Sequence, residues 1–327
     1  MGNHTRYDGF ILLGFLMERE AEILLATVLT VVYVLTLLGN MTILFITSTN
    51  SRLHTPMYFF LANLSILDLA FSTVTVPCLL RSLLSGVKAI SFAGCMAQSY
   101  FYFFLGTVEY FLLTSMSYDR YVAICNPLRY PIIMNGQVCV QVMVVCWLGG
   151  FASVLYPTIM ITRFSYCKSN VIDHFFCDSE PLLRLSCTGT GLIQIITFML
   201  SSVVILCSSA LTIISYAYIV SAILVIPTDS GRKKAFNTCV SHLTLFLMAT
   251  SVSILLYVIP SKKSTLGARK VPALLSSIIN PFLSPFVYTL RNDLVKGILQ
   301  GIFAQGKAMV TQKLQKLLMN HAAGPLH

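Results

Sequence analysis

Residues 192–220 read LIQIITFMLSSVVILCSSALTIISYAYIV, without one charged side chain. A helix needs roughly 20 apolar residues to cross about 30 Å of hydrocarbon, so this stretch can span a bilayer. Six more runs of the same character flank it: 23–47, 56–80, 95–120, 138–162, 235–260 and 271–290. Only helices and closed barrels satisfy their backbone groups inside lipid. Barrel strands are about ten residues long and alternate in polarity. These runs are too long and too uniformly apolar for strands, and they predict an all-α integral membrane protein with seven transmembrane helices. Composition agrees. Of 327 residues, 56% are hydrophobic and 10% charged, where a soluble domain carries about 25% charged residues. The stretch Met1 to Glu22 is polar and does not read as a cleavable signal peptide.

The basic residues do not orient the chain. With the amino terminus outside, eleven Lys and Arg fall on each side of the membrane, so the positive-inside rule is silent. Two other signals place the amino terminus outside. Asn3-His4-Thr5 is a glycosylation sequon in a polar tail. Cys95 opens the third run, and Cys167, Cys177 and Cys187 lie between the fourth and fifth, all on one side. Four cysteines allow two disulfides in an oxidising space, in any of three connectivities. The other six, Cys78, Cys125, Cys139, Cys146, Cys207 and Cys239, lie in or beside the runs and read as small packing residues. The expected organisation is an extracellular tail over 1–22, a membrane domain over 23–290, and a cytoplasmic tail over 291–327. That tail opens with a short amphipathic eighth helix, in which Leu294, Ile298, Leu299, Ile302 and Phe303 share one side. The net charge of +10 is scattered over many loops, which argues against nucleic acid as a partner.

Ionisable groups inside the membrane are costly and mark functional candidates. Asp68 lies mid-span in the second run and Glu109 mid-span in the third. Arg120 follows Glu109 by eleven residues, or three turns plus about 20°. Tyr102 precedes Arg120 by five turns. The three share one face, expected to be the bundle interior. Two readings of Asp68 and Glu109 stand side by side. They hold a sodium ion or water cluster, or they hydrogen-bond between helices after taking up a proton. At the inner end of the third run lies Asp119-Arg120-Tyr121. Its acid can hold the arginine in one rotamer, or the pair simply marks the membrane boundary.

Several ordered stretches resemble the odorant receptors, a family of rhodopsin-like G-protein-coupled receptors. Met116–Cys125, MSYDRYVAIC, with Asn126-Pro127-Leu128-Arg129-Tyr130 resembles the end of the family's third helix. Leu53–Leu61, LHTPMYFFL, leading to Asp68 resembles its second helix. Gly39-Asn40 matches the first, and His174-Phe175-Phe176-Cys177-Asp178 the long outer loop. Ser215-Tyr216 matches the fifth, Lys234–Thr244 the sixth, and Pro285–Asn292 the seventh. The resemblance implies disulfides Cys95–Cys177 and Cys167–Cys187. It implies that Asp119, Arg120, Tyr121, Tyr216, Ser284, Pro285 and Tyr288 serve coupling to a stimulatory heterotrimeric G protein that raises cyclic AMP. It also implies a small volatile odorant as ligand, held between the outer halves of helices three, five and six. Tyr102, Phe103, Gly106 and Thr107 recur on one face of helix three, and Ser253, Ile254 and Tyr257 on helix six. That surface is aromatic and aliphatic with a few hydroxyls, and without a fixed charge matched to an amine. Ordinary helix packing is the competing reading of each residue.

The family pattern breaks at two places. Ser284 precedes Pro285 where the family has Asn, with Asn280-Pro281 four residues earlier as a displaced substitute. Ala249-Thr250-Ser251 stands where the family carries Phe-Tyr-Gly. Rival functions find little support. A hydrolase needs a nucleophile, a base and an orienter together, and adjacent Ser241 and His242 point apart on a helix. His174 to Asp178 makes a poor metal site, with Cys177 expected in a disulfide. A transporter shows internal repeats, and none is visible. A rhodopsin-like receptor for another small ligand is the nearest alternative.

Overall fold

The computed structural model describes residues 8–225, 227–259, 266–290, 294–301, 304, 309 and 311–313. Seven long helices form the bundle: α1 (Arg19–Thr49), α2 (Pro56–Ser85), α3 (Phe92–Cys125), α4 (Gly136–Arg163), α5 (Gly191–Val225), α6 (Asp229–Ser253) and α7 (Leu266–Leu290). Six contain the whole apolar run predicted for them. The sixth continues from α6 into a π-helical turn, Ile254–Val258, and becomes extended at Ile259. Five helices are long and apolar enough to cross a membrane by hydropathy alone. The other two are α3, which carries Glu109, Asp119 and Arg120, and α6, whose apolar part is His242–Val258.

Local chemistry sets the helix ends. Ser91 accepts a hydrogen bond from Gly94 N at 3.1 Å and Asn135 accepts one from Val138 N at 3.0 Å, capping the first turns of α3 and α4. Pro56 starts α2, where a missing N–H costs nothing. Gly86 ends it at φ 69°, a left-handed conformation that favours glycine. Outward-facing rows such as Leu24, Val145 and Leu211 are exposed, as lipid-facing residues should be. The main core runs through α1, α2, α3, α4, α6 and α7, around Phe60, Leu112 and Phe246.

Helix α7 contains Pro272, Pro281 and Pro285 and remains helical. Pro285 lacks the N–H that would bond Pro281 O four residues back. Asn40 of α1 supplies the missing donor, its Nδ2 bonding Pro281 O at 3.0 Å. Gly39 permits the approach, since a Cβ there would sit 2.8 Å from Pro285 Cγ. The Gly39-Asn40 pair is therefore the α1 half of a proline joint.

The outer face carries a small cap that the sequence reading did not anticipate. Strand β1 (Gly9–Leu12) pairs antiparallel with β2 (Ala89–Ser91) and parallel with β3 (Val171–Ile172), in the order β2-β1-β3. Phe10, Leu12 and Ile172 are buried beneath it with the Cys95–Cys177 disulfide. A second disulfide joins Cys167 to Cys187. Both pairings are those the family resemblance implies. Six cysteines are free. Lys270 of α7 fastens the cap, its Nζ donating to Gly14 O at 2.8 Å and Asp173 Oδ1 at 2.6 Å. Asn3 lies outside the described residues, as do Ile302 and Phe303. Residues 294–301 are helical, but the buried side is Val295 with half-buried Ile298 and Leu299, while Leu294 is exposed.

Candidate functional site

A cavity of about 560 Å³ opens between the outer halves of the helices. Tyr102, Phe103, Gly106 and Thr107 of α3 line it, with Ser253 of α6 and Tyr257 of the π-helical turn. Ile254, expected beside them, does not. Ser253 and Tyr257 are four residues apart and share a face, whereas Ile254 is turned about 100° from Ser253. Tyr257 Oη donates to Tyr102 Oη at 3.3 Å. The Tyr102 ring packs against Phe71 and Phe176 at centroid distances of 4.9 and 4.3 Å.

The cavity also departs from the predicted pocket. It reaches beyond α3, α5 and α6 to α4 (Ser153, Pro157), α7 (Ser276, Asn280) and the outer loop. It also carries ionisable side chains. Glu109 forms part of its deep wall, and Glu180, Arg184 and Arg269 stand at its mouth. Arg269 is ion-paired with Glu180 and also donates to the carbonyls of Leu255 at 3.2 Å, Ile259 at 3.1 Å and Leu256. Arg184 binds the other Glu180 oxygen at 2.7 Å. The carboxylate of Glu180 thus bridges two guanidiniums, and Arg269 caps carbonyls at the end of the π turn. Glu180 and Arg184 lie one turn apart in a short helix of the outer loop, Ser179–Arg184, and Arg269 lies near the start of α7, so no long apolar run marks them.

Two groups in this outer layer have displaced acidities. Burial, then the Lys270 ammonium, holds the His174 imidazole down at about 3. Its ring packs on Phe175 and Phe176. Burial, then the neighbouring Glu180 charge, pushes the Asp178 carboxyl up to about 6. Cys177 is disulfide-bonded, and the described residues contain no cluster of three His, Cys, Asp or Glu fit for a metal ion.

Deeper in the bundle, Asp68 is buried against α7 with Ser284 close by. Asp68 Oδ2, Ser284 Oγ, Asn40 Oδ1 and Tyr288 Oη are buried and have no hydrogen-bond partner among the described residues. These are four oxygens on three mutually packed helices, an all-oxygen donor set of the kind hard cations take. Asn280 does not join them. It lines the outer cavity instead.

At the inner end of α3, Arg120 is ion-paired with Asp119 Oδ2, its Nε at 3.0 Å. Tyr130 Oη donates to the other oxygen, Asp119 Oδ1, at 2.8 Å. Asp119 is thus held from two sides. Tyr216 Oη lies 2.8 Å from His242 Nδ1, and His242 Nε2 lies 3.0 Å from Leu113 O. The carbonyl can only accept, so Nε2–H donates to it and Nδ1 accepts from Tyr216. His242 therefore ties α6 to both α3 and α5. The half-buried Tyr121 ring meets Tyr218 of α5 at 5.8 Å.

A family model described as olfactory receptor matches residues 29–306. Olfactory receptor 6J1 of Homo sapiens is 53% identical over 319 residues, which cover 97% of this chain and 92% of the relative. Olfactory receptor 6T1, also human, is 46% identical over 313 residues, covering 96% and 97%. Human olfactory receptor 6S1 is 44% identical over 315 residues, covering 96% and 95%. With the seven-helix bundle and its disulfide-bonded outer loop, these matches make the chain a multi-pass plasma-membrane receptor rather than an enzyme, and it belongs to the olfactory receptor family of G-protein-coupled receptors.

Proposed function

We propose that the chain binds a small, mostly uncharged volatile odorant in the outer cavity and in response activates a stimulatory heterotrimeric G protein, raising cyclic AMP. The observation that carries this reading is the continuity of α3. One unbroken helix, Phe92–Cys125, supplies the cavity wall from Ser99 to Tyr110 and the Asp119–Arg120 clasp at its inner end. Movement at the cavity therefore reaches the clasp through a rigid element. An odorant activates only if it binds the signalling state better than the resting one. The test follows cyclic AMP in cells supplied with an olfactory-type stimulatory G protein, across a broad panel of volatiles. A dose-dependent response lost in a surface-matched Arg120→Ala receptor supports the reading. A response that survives Arg120→Ala overturns the coupling role.

A sodium ion is the proposed occupant at Asp68, with Asn40 and Ser284 offering neutral oxygens and Glu109 a second carboxylate nearby. Bound there, it would supply the positive charge that Asp68 lacks and join α1, α2 and α7. The ion makes the unfolding temperature of ligand-free receptor higher in sodium chloride than in choline chloride of equal strength. Asp68→Asn should abolish that difference. Equal unfolding temperatures for the unaltered receptor would favour direct hydrogen bonding between helices instead.

A further inference from the structure

The deep end of the cavity differs from its walls. Helix α3 runs inward from the mouth, so Glu109 and Tyr110 are its innermost lining residues; Ala249 on α6 and Asn280 on α7 are innermost on theirs. Ser253 stands one turn outward from Ala249. Among the described residues, the Glu109 and Asn280 side chains make no hydrogen bond or ion pair, and both line the cavity at mid-membrane depth with Ser253. Behind them the buried Tyr110 hydroxyl, flanked by Thr250 and Ser253, is also without a bonding partner. Polar groups so placed are expensive unless satisfied. Ala249 lines the cavity one turn inward from Ser253, and its single methyl leaves space at the floor that a larger side chain would take.

Charge narrows what the floor accepts. Two guanidiniums face one carboxylate at the mouth, which disfavours a cation on entry. The Glu109 carboxyl disfavours an anion at the bottom. A hydroxyl fits, because it donates to Glu109 and accepts from the Asn280 amide or the Ser253 hydroxyl with the same oxygen. We infer that the floor formed by Glu109, Ser253 and Asn280, opened by Ala249, selects an elongated neutral molecule whose inner end carries a hydroxyl group. This rests on the odorant reading above and names the chemical class.

The experiment measures cyclic AMP potency for a homologous series of straight-chain primary alcohols and their methyl ethers, with the matching amines and carboxylic acids alongside. It uses the unaltered receptor and Ser253→Ala, Asn280→Ala and Ala249→Phe. The readout is the alcohol-to-ether potency ratio within each receptor, which expression level and coupling strength do not move. Alcohols should lead the other three classes. The ratio should fall about tenfold in Ser253→Ala or Asn280→Ala, as expected for one lost hydrogen bond. Ala249→Phe should shift the preferred chain length to shorter members. If ethers, amines or acids match the alcohols, or the ratio is unchanged in both alanine variants, the inference fails while the odorant reading stands. Should no volatile of any class activate a surface-expressed receptor or raise its unfolding temperature, both fall.

Discussion

At the scale of single residues, the inner end of the bundle is held by small polar contacts whose removal should be visible. Asp119 has both oxygens engaged, one by Arg120 and one by Tyr130. Tyr130→Phe deletes one hydrogen bond to a charged acceptor and leaves the ring in place. Such bonds contribute about 1.5–3 kcal/mol, so basal cyclic AMP should rise severalfold at matched surface expression. No rise would mean that Arg120 alone holds Asp119. The Asp119-Arg120-Tyr121 triplet was readable in the sequence, because its two charges end a long apolar run. The clamp from Tyr130 was not, since it depends on how the chain turns after Pro127. Asn40 shows the same limit. Gly39-Asn40 was readable only as a match to the family's first helix; the task of Asn40, donating to the carbonyl released by Pro285, appears only once α1 and α7 are side by side.

At the scale of elements, the seven helices were legible because uninterrupted hydrophobicity is a local property. The strands were not. Gly9–Leu12 pairs with segments about 80 and 160 residues away, and its partners are three and two residues long. The π turn at Ile254–Val258 also lacks a marker, with no proline or glycine within it. Arg269 holds that turn by capping the carbonyls of Leu255, Leu256 and Ile259 and pairing with Glu180 of the outer loop. In the sequence it is only one of many outer basic residues. Arg269→Gln shortens the reach and removes the charge. Amide exchange over residues 255–259 should then accelerate by about tenfold, the effect of losing roughly 1.4 kcal/mol of local stability. Exchange in the inner half of α6 should stay unchanged. Equal acceleration along the whole helix would show that Arg269 supports the bundle generally rather than this turn.

At the scale of the whole molecule, the outer cap joins amino terminus, loop and α7 into a cover whose stability depends on pH. His174 and Asp178 pull in opposite directions. His174 stays neutral when folded, down to about 3, but takes up a proton near its ordinary 6.5 when unfolded. The unfolded chain therefore binds more protons between these values, and the stability that neutral His174 allows is lost as pH falls below 6.5. Asp178 is raised to about 6 when folded, from an ordinary 3.8. Its contribution is present below 3.8 and lost as pH rises through about 6. Over the shared interval the two offset each other, so the unaltered receptor hides both. Replacing one partner exposes the other. His174→Phe keeps an aromatic ring beside Phe175 and Phe176 and removes the titration. Relative to the unaltered receptor, it should gain up to about 1.4 kcal/mol of stability per pH unit on acidification below 6.5, every other titrating group cancelling in the comparison. Thermal unfolding of both solubilised receptors between neutral and mildly acidic pH measures this directly. Parallel pH profiles would mean that His174 is hydrated and titrates alike in both states. A widening gap would show that the cover excludes water and keeps a neutral imidazole next to the Lys270–Asp173 pair.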